Sequence, residues 1–435
     1  MGDLAKLELT AAAYFPDGHI VYSSGSSINI ADKDGANAKK LLEVPGGVYW
    51  LSVSQDGRRI RFTFQNDVSE TLWEIKSDGT GRRELLKGWK RGDDACCGKW
   101  TKDGRYFVFL DRRQGAFDIW ALPEEKRLVS DSSAAPVQLT NGPLSYYGPL
   151  PSLDNKTIFA VGAKQKGELS RYDAKRGEFL PFLGGISATD AMPSRDGQWV
   201  VFLSYPDSIL WRSRVDGTDR MQLSNGRAFF PHISPDGSKV AFVAFDPQKG
   251  LGVYLVSMQG GTPQRTVERA SFGSWSPDGK QLVVQVNTPP PLAQARVQTI
   301  DLGTGEVREI SDSAGETAPY WPNPGTLVAG SPTRLTIFDL KTQKWSTLAT
   351  GDVDNWLTSW DGKYMYFEKS DASGRKAFRI RLADRRTEPV AGLFGVRRVE
   401  QYGPGTWLGV TSDGSLLITR DIGTQEIYAL DIKWP

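Results

Sequence analysis

The sequence predicts an all-β fold, a β-propeller of about ten four-stranded blades, and three observations carry that prediction. First, a short apolar segment, a tight turn and a second apolar segment recur ten times. Eight copies keep an Asp-Gly turn, at Asp17, Asp56, Asp103, Asp196, Asp236, Asp278, Asp361 and Asp413, and two are worn, Asp154-Asn155 and Pro324-Gly325. Their spacing of about 37 to 52 residues is the period of a propeller blade or another solenoid unit. Second, the flanking segments have strand length and are rich in β-branched and aromatic residues. Third, the last unit offers three strand-like segments and stops at Pro435, while Lys6-Leu7-Glu8-Leu9-Thr10 resembles a fourth strand that would close a ring and protect its edges.

The elements of one unit follow from residues 228–267. Phe229-Phe230-Pro231-His232-Ile233 reads as the first strand, and Ser234-Pro235-Asp236-Gly237 ends it. Proline presets φ, aspartate bonds its own backbone and glycine accepts positive φ, so this tetrapeptide is a turn with a mechanism. Lys239 to Val243 is the second strand, Val253 to Val256 the third and, beyond Gly260-Gly261, Gln264 to Val267 the fourth. The same order recurs in second strands such as Tyr106-Phe107-Val108-Phe109 and Trp199-Val200-Val201-Phe202. It recurs in third strands such as Leu72-Trp73-Glu74-Ile75, Ile119-Trp120-Ala121-Leu122 and Ile427-Tyr428-Ala429-Leu430. The units then span 11–45, 46–88, 89–142, 143–185, 186–226, 227–268, 269–313, 314–351, 352–400, and 401–435 with 5–10. A single ring over residues 1–435 is favoured because Phe182-Leu183-Gly184-Gly185-Ile186, near the midpoint, passes between units as other junctions do. Two smaller propellers in tandem are the alternative, since ten blades exceed the usual four to eight. The bulky residues three before each turn, Trp100, Ile233, Trp275 and Trp321 among them, read as packing between successive sheets.

Composition narrows the function classes. Hydrophobic residues at 39%, with 14 Trp, 19 Phe and 14 Tyr, supply an extended core. Lys and Arg (53) nearly balance Asp and Glu (51), so bulk charge gives no reason to expect nucleic-acid binding. No stretch has the apolar length of a membrane span, and the first residues lack a secretory pattern. The first strand-like segment begins almost at once, which suits a piece of a longer protein, and the compartment stays open, an extracytoplasmic domain of a membrane-anchored bacterial protein among the readings.

Catalytic groups are sparse. His19 follows the first turn and reads as a surface residue, while His232 lies on a first strand and could face the channel, with a hydrogen-bonded structural role as the plainer reading. Ala31 to Asn37 resembles the start of a calcium loop, but the downstream bidentate glutamate is misplaced and the segment reads as a hairpin turn. No cofactor or metal is expected. The loops leading into first strands gather on one face in a propeller, and they carry acids and aromatics: Asp93, Asp94, Tyr146, Tyr147, Asp190, Phe229, Phe230, Glu316, Tyr320, Asp354, Trp356 and Tyr402. Such a mixture suits a recognition surface, and loop packing is the bland alternative. Cys96-Cys97 sits in the same loops. The pair reads as buried thiols acting as small apolar residues, with a strained eight-membered disulfide as the alternative.

Trp275-Ser276-Pro277-Asp278-Gly279, and third strands followed by turns such as Val215-Asp216-Gly217-Thr218, resemble the repeat of TolB-type β-propellers along essentially the whole chain. Three stretches, Cys96 to Thr101, Leu210 to Gly217 and Arg420 to Leu430, further resemble the C-terminal propeller region of bacterial winged-helix transcriptional regulators and related sensor proteins. The resemblance implies a sensing or interaction domain, and it names no ligand. The expected function is non-catalytic binding of a protein, peptide or small molecule at the channel mouth, using the acidic-aromatic loops, His232 and the cysteine pair. The alternative is a propeller enzyme or accessory domain. It would be a quinone-type oxidoreductase, because some quinone-cofactor propellers place such a cysteine pair under the cofactor, or the propeller part of a hydrolase.

Overall fold

The structure is a computed structural model that describes residues 10–66, 69–89, 94–113, 115–124, 135–246, 248–287, 294–371, 374–401 and 405–434. Among the described residues every regular element is a β-strand and every pairing is antiparallel, so the chain is all-β as expected. Most strands assemble into four-stranded sheets in which consecutive strands are neighbours.

The recurring turn is held by a residue two positions before the aspartate. In Ser54, Thr101, Ser152, Ser194, Ser234, Ser276, Ser359 and Thr411 the hydroxyl donates to the aspartate Oδ1 at 2.5–2.7 Å. At Ser234 the same oxygen accepts the Lys239 N–H at 2.9 Å, while Asp236 accepts the Ser238 N–H at 3.0 Å. The hydroxyl thus bridges both strands of the hairpin and orients the carboxylate that caps it. Gly237, with φ of 75°, closes the turn by donating to the Ser234 carbonyl at 2.9 Å.

A second recurring device lies inside the first strands. Trp50, Cys97, Gly148, Asp190, Phe230, Ala318 and Asn355 all have left-handed φ, between 42° and 66°. The pairing of each of these strands with the next shifts register at that point. The register between Phe229 and Val243 gives way to that between His232 and Ala241, for example, so Phe230 and Pro231 form the bulge.

The chain divides into two compact units, residues 1–165 with 423–435, and residues 166–422. The first holds sheets Ala11–Tyr14 to Lys39–Glu43, Gly47–Val53 to Arg83–Glu84, and Ala95–Trp100 to Val137–Gln138, each of four strands. Its remaining sheet joins Ser145–Pro151 and Thr157–Lys164 to Thr424–Asp431, which runs antiparallel to Thr157–Lys164 from Thr157 opposite Asp431 to Lys164 opposite Thr424. Sheets in this unit pack through apolar faces, as where Leu72, Leu85 and Leu86 meet Phe107, Phe109 and Trp120. Arg61, fully buried, hydrogen-bonds Glu74 at 2.8 Å and forms an ion pair with Glu124 at 2.5 Å, with its guanidinium 4.5 Å from the Phe107 ring centroid.

In the second unit, Gly167–Asp173 and Glu178–Pro181 pair with Leu416–Asp421 and Leu408–Val410 in one sheet. The expected units 143–185 and 401–435 therefore each contribute to more than one sheet. Glu426 to Leu430 pairs with residues 157–164 and not in the sheet of Leu416–Asp421. Of the expected closing strand, residues 6–9 lie outside the described residues, and the Thr10 N–H bonds the Ser23 carbonyl at 2.8 Å. Met221–Ile233 serves two sheets, with Met221 to Arg227 pairing Ile209–Arg214 and Ala228 to Ile233 pairing Lys239–Asp246. Ala270–Trp275, Thr317–Asn323 and Val353–Thr358 open the other sheets of this unit.

Candidate functional site

Within the second unit the opening strands touch in succession: Ala188–Pro193, Met221–Ile233, Ala270–Trp275, Thr317–Asn323, Val353–Thr358 and Leu408–Val410, the last again touching the first. A cavity of about 620 Å3 lies among them, and each of these strands contributes to its wall. Asp190, Phe230, His232, Tyr320, Asp354 and Trp356, all expected from the sequence, line it.

The bulges explain how these side chains reach the cavity. Asp190, Phe230, Ala318 and Asn355, the left-handed residues of this unit's first strands, are themselves lining residues. Breaking the strict alternation of the strand lets adjacent residues such as Pro231 and His232 share one wall. His232, Phe272 and Tyr320 form a ring cluster with centroids 5.2–5.5 Å apart and edge-to-face planes, and Phe230 adds a tilted contact to Phe272 at 5.5 Å. Indole donors fix the next layer: Trp275 Nε1 bonds the His232 carbonyl at 2.9 Å, Trp356 Nε1 the Ala318 carbonyl at 2.9 Å and Trp360 Nε1 the Pro193 carbonyl at 3.1 Å.

Burial lowers the His232 pKa to about 4, so the imidazole is neutral at pH 7. Burial, and then the nearby Asp190 carboxylate, push the Tyr320 phenol up, so it stays protonated. The Asp354 carboxylate bonds Arg375 at 3.0 Å, and Arg375 also reaches Glu368 at 3.3 Å. Arg398 grips both Glu368 oxygens at 2.6 and 2.9 Å and donates to the Trp407 carbonyl at 2.7 Å, tying this network to another wall of the cavity.

The remaining expected residues stand elsewhere. Phe229 points between sheets, against the cluster of Ala241, Val243 and Val253, with the Arg227 guanidinium 5.6 Å from its ring centroid. Glu316 is buried and serves Arg334 at 2.6 Å and the Thr336 hydroxyl at 2.8 Å. Asp94, Cys96, Cys97, Tyr146 and Tyr147 belong to the first unit. There Asp94 accepts the Glu70 N–H at 3.1 Å and lies 3.6 Å from the Arg112 guanidinium. Burial and then the Asp94 charge raise the pKa of Glu70. Cys96 and Cys97 are joined in a disulfide, which corrects the reading as free thiols, and the Cys97 N–H bonds Thr63 Oγ1 at 3.2 Å. Tyr146 meets Tyr428 edge-on at 6.4 Å, and the Tyr147 hydroxyl accepts from Gln165 at 2.8 Å. Asp93 and Tyr402 lie outside the described residues.

Sequence reasoning missed Phe272, Trp360 and Trp407, and it assigned Ile233, Trp275 and Trp321 to packing alone, yet all six line the cavity. The signal was present in the position three before the turn aspartate, where the second unit also places the lining residues Thr358 and Val410. Packing between sheets and lining the cavity coincide at Ile233, Trp275, Trp321 and Val410, each of which also belongs to an apolar cluster.

No family model matches the chain. An uncharacterized protein of Agrobacterium fabrum, Atu1656, is 28% identical over 203 residues, 42% of this chain and 66% of that protein. Dipeptidyl-peptidase 5 of Porphyromonas endodontalis is 22% identical over 294 residues, 60% of this chain and 40% of the peptidase. The chain thus spans less than two thirds of the length of these curated relatives. A TolB-type protein of Agrobacterium tumefaciens is among the solved structures it resembles, with a TM-score of 0.48 and 17% identity over 59% of this chain and 99% of that one.

Proposed function

We propose that the chain is a non-catalytic binding module of two propeller units in tandem, and that the second unit receives a protein, peptide or small-molecule ligand in its cavity. The second unit is read as a ring of six blades closed by the sheet that combines residues 167–181 with 408–421. That preference over one ring of ten rests on the two compact units and on the circuit of strand contacts within the second. The functional reading is carried by one observation: the opening strands of the unit converge on a cavity of ligand size whose wall includes eight Phe, Tyr and Trp side chains, with carboxylates at Asp190, Asp354 and Asp361. A role as the sensing part of a bacterial regulatory protein rests on the three sequence stretches alone. No argument from the compared proteins bears on it.

The test is equilibrium binding of defined tripeptide pools, by fluorescence anisotropy, to the wild-type chain and to a Tyr320→Ala/Trp356→Ala variant whose fold is checked by near-ultraviolet circular dichroism. Pools held by the wild type should lose at least about tenfold in affinity in the variant, since truncating central aromatic anchors costs on the order of 2 kcal/mol. Unchanged binding would place the site elsewhere.

A second reading, the propeller part of a hydrolase, is favoured by the similarity to a dipeptidyl-peptidase over 60% of the chain. Faster release of chromophore from a dipeptidyl p-nitroanilide when the purified chain is added to a dipeptidyl-peptidase catalytic domain would support it against the first.

A further inference from the structure

The opening strands of the first unit, Ala11–Tyr14, Gly47–Val53, Ala95–Trp100 and Ser145–Pro151, also touch in succession. Three of them repeat the bulge of the second unit, at Trp50, Cys97 and Gly148. In both units the ladder to the next strand resumes two positions past the left-handed residue, at Met192, His232, Tyr320 and Leu357 in the second and at Ser52, Lys99 and Leu150 in the first. The four of the second unit all line its cavity. Equal backbone geometry therefore places Lys99 and Leu150 on the corresponding side of the first unit.

Lys99 differs from the cations around it. Arg61 is paired with Glu74 and Glu124, Arg112 with Asp94 and Arg113 with Asp111. Among the described residues Lys99 has neither an ion pair nor a side-chain hydrogen bond, and burial, with no neighbouring charge, lowers its pKa. Drawing an ammonium partly out of water without a counter-charge is unfavourable, and a bound anion offsets that cost. The flanks are apolar and open. Trp50, on the strand before, is 51% exposed, and Leu150, on the strand after, is 57% exposed. At Gly148 an added Cβ would meet no atom within 4 Å, so there is room beside that strand. Exposed large apolar side chains around an unmatched charge suit an amphipathic ligand. One lysine neutralises a single charge, which fits a carboxylate, whereas a phosphate dianion takes several donors.

We infer that the first unit carries a binding site of its own on its opening strands, for a carboxylate on an apolar stem, with Lys99 as counter-ion and Trp50 and Leu150 as apolar flanks of the opening at Gly148. The site is built from residues of the first unit alone and does not depend on the second unit's cavity. A free organic acid and the end of a peptide chain share this chemistry.

Calorimetric titration of the full chain with 3-phenylpropanoate, its neutral amide and N-acetylphenylalanine tests it, the fold of each variant being checked by near-ultraviolet circular dichroism. The better-bound of the two acids should exceed the amide by at least about tenfold in affinity, and which acid that is separates a free acid from a chain end. Lys99→Gln keeps a polar side chain without the charge and should bring acid and amide within about threefold of each other. Trp50→Asn, which suits the left-handed backbone and leaves Lys99 in place, should weaken acid binding by about fivefold or more. In Tyr320→Ala/Trp356→Ala the preference for acid over amide should persist. Equal affinity of acid and amide for the wild type overturns the inference, as does absence of binding by both acids. A preference that survives Lys99→Gln, or that vanishes in Tyr320→Ala/Trp356→Ala, also overturns it, because the carboxylate is then held elsewhere.

Discussion

Glu368 is fully buried between two guanidiniums, Arg398 on both oxygens and Arg375 on one. A buried carboxylate is tolerated only where such partners replace water, so neutralising it leaves Arg398, itself only 5% exposed, without its counter-charge. Glu368→Gln should therefore lower unfolding stability by about 3–5 kcal/mol in urea titrations, and Glu368→Leu/Arg398→Leu should recover part of that loss. His232 gives a pH-dependent counterpart. Its folded pKa of about 4 lies below the unfolded value of 6.5, so the unfolded chain binds the extra proton. Stability from this residue is complete above pH 6.5 and declines as pH falls toward 4, by at most about 3 kcal/mol. The wild-type minus His232→Gln stability difference should fall across that window, and a flat difference would contradict the buried neutral imidazole. Both roles were only half legible in the sequence. His232 could be placed on a first strand by pattern, but the pairing of Glu368 with Arg398, thirty positions away, depends on which strands become neighbours.

Two local devices set the elements, and they differ in how far the sequence declares them. The turn hydroxyl is declared, since a serine or threonine stands two residues before the aspartate in eight of the ten turns. Ser234→Ala would leave the Lys239 N–H without its 2.9 Å acceptor and Asp236 without its 2.6 Å donor, for a loss of about 1–2 kcal/mol measurable as a lower urea midpoint. Asp236 is held below its usual pKa first by that Ser234 hydroxyl and then by the Ser238 N–H. The folded-state pKa being depressed, this contribution is present above the unfolded value and is lost as pH falls through the folded one. The bulge, by contrast, is silent in the sequence because its occupant changes from Trp50 to Cys97, Gly148, Asp190, Phe230, Ala318 and Asn355. The backbone demands a left-handed residue there, and only glycine, asparagine and aspartate adopt that conformation readily. Trp50, half-exposed with φ of 53°, bears the strain without burial to offset it. Trp50→Asn should accordingly raise stability by about 0.5–1 kcal/mol, while Trp50→Val should lower it by at least about 1 kcal/mol. Equal effects of the two would show that side-chain contacts, and not the backbone, decide this position.

At the scale of the whole chain, the recurring turn and its flanking strands were readable because the same local chemistry repeats, but the allocation of strands to sheets was not. Residues 424–431 follow Leu416–Asp421 after only Ile422 and Gly423, with the strand pattern of every other third strand, yet they pair with residues 157–164. Local signals specify a strand and leave its partner to tertiary contacts. The consequence is a nested chain path, with residues 166–422 inserted between two strands of the first unit's last sheet. Both edges of the insertion are close in space: the Ile422 N–H bonds the Lys166 carbonyl at 2.9 Å, and Lys164 stands opposite Thr424 in the ladder. A domain whose ends meet can be removed or isolated without unravelling its neighbour's strands. Residues 166–422 alone keep every strand of their sheets, including the two returning strands that complete the sheet of Gly167–Asp173. They should fold with one cooperative urea transition, whereas residues 166–405, lacking those strands, should not. In the complementary deletion, Lys164 joined to Thr424 through Asn-Gly converts the antiparallel pair into a two-residue hairpin of the favoured type, so the first unit should retain its β-sheet circular dichroism. If the isolated 166–422 fragment unfolds without cooperativity while the full chain does not, the second unit depends on the first for its stability, and the division into two independently folding units fails.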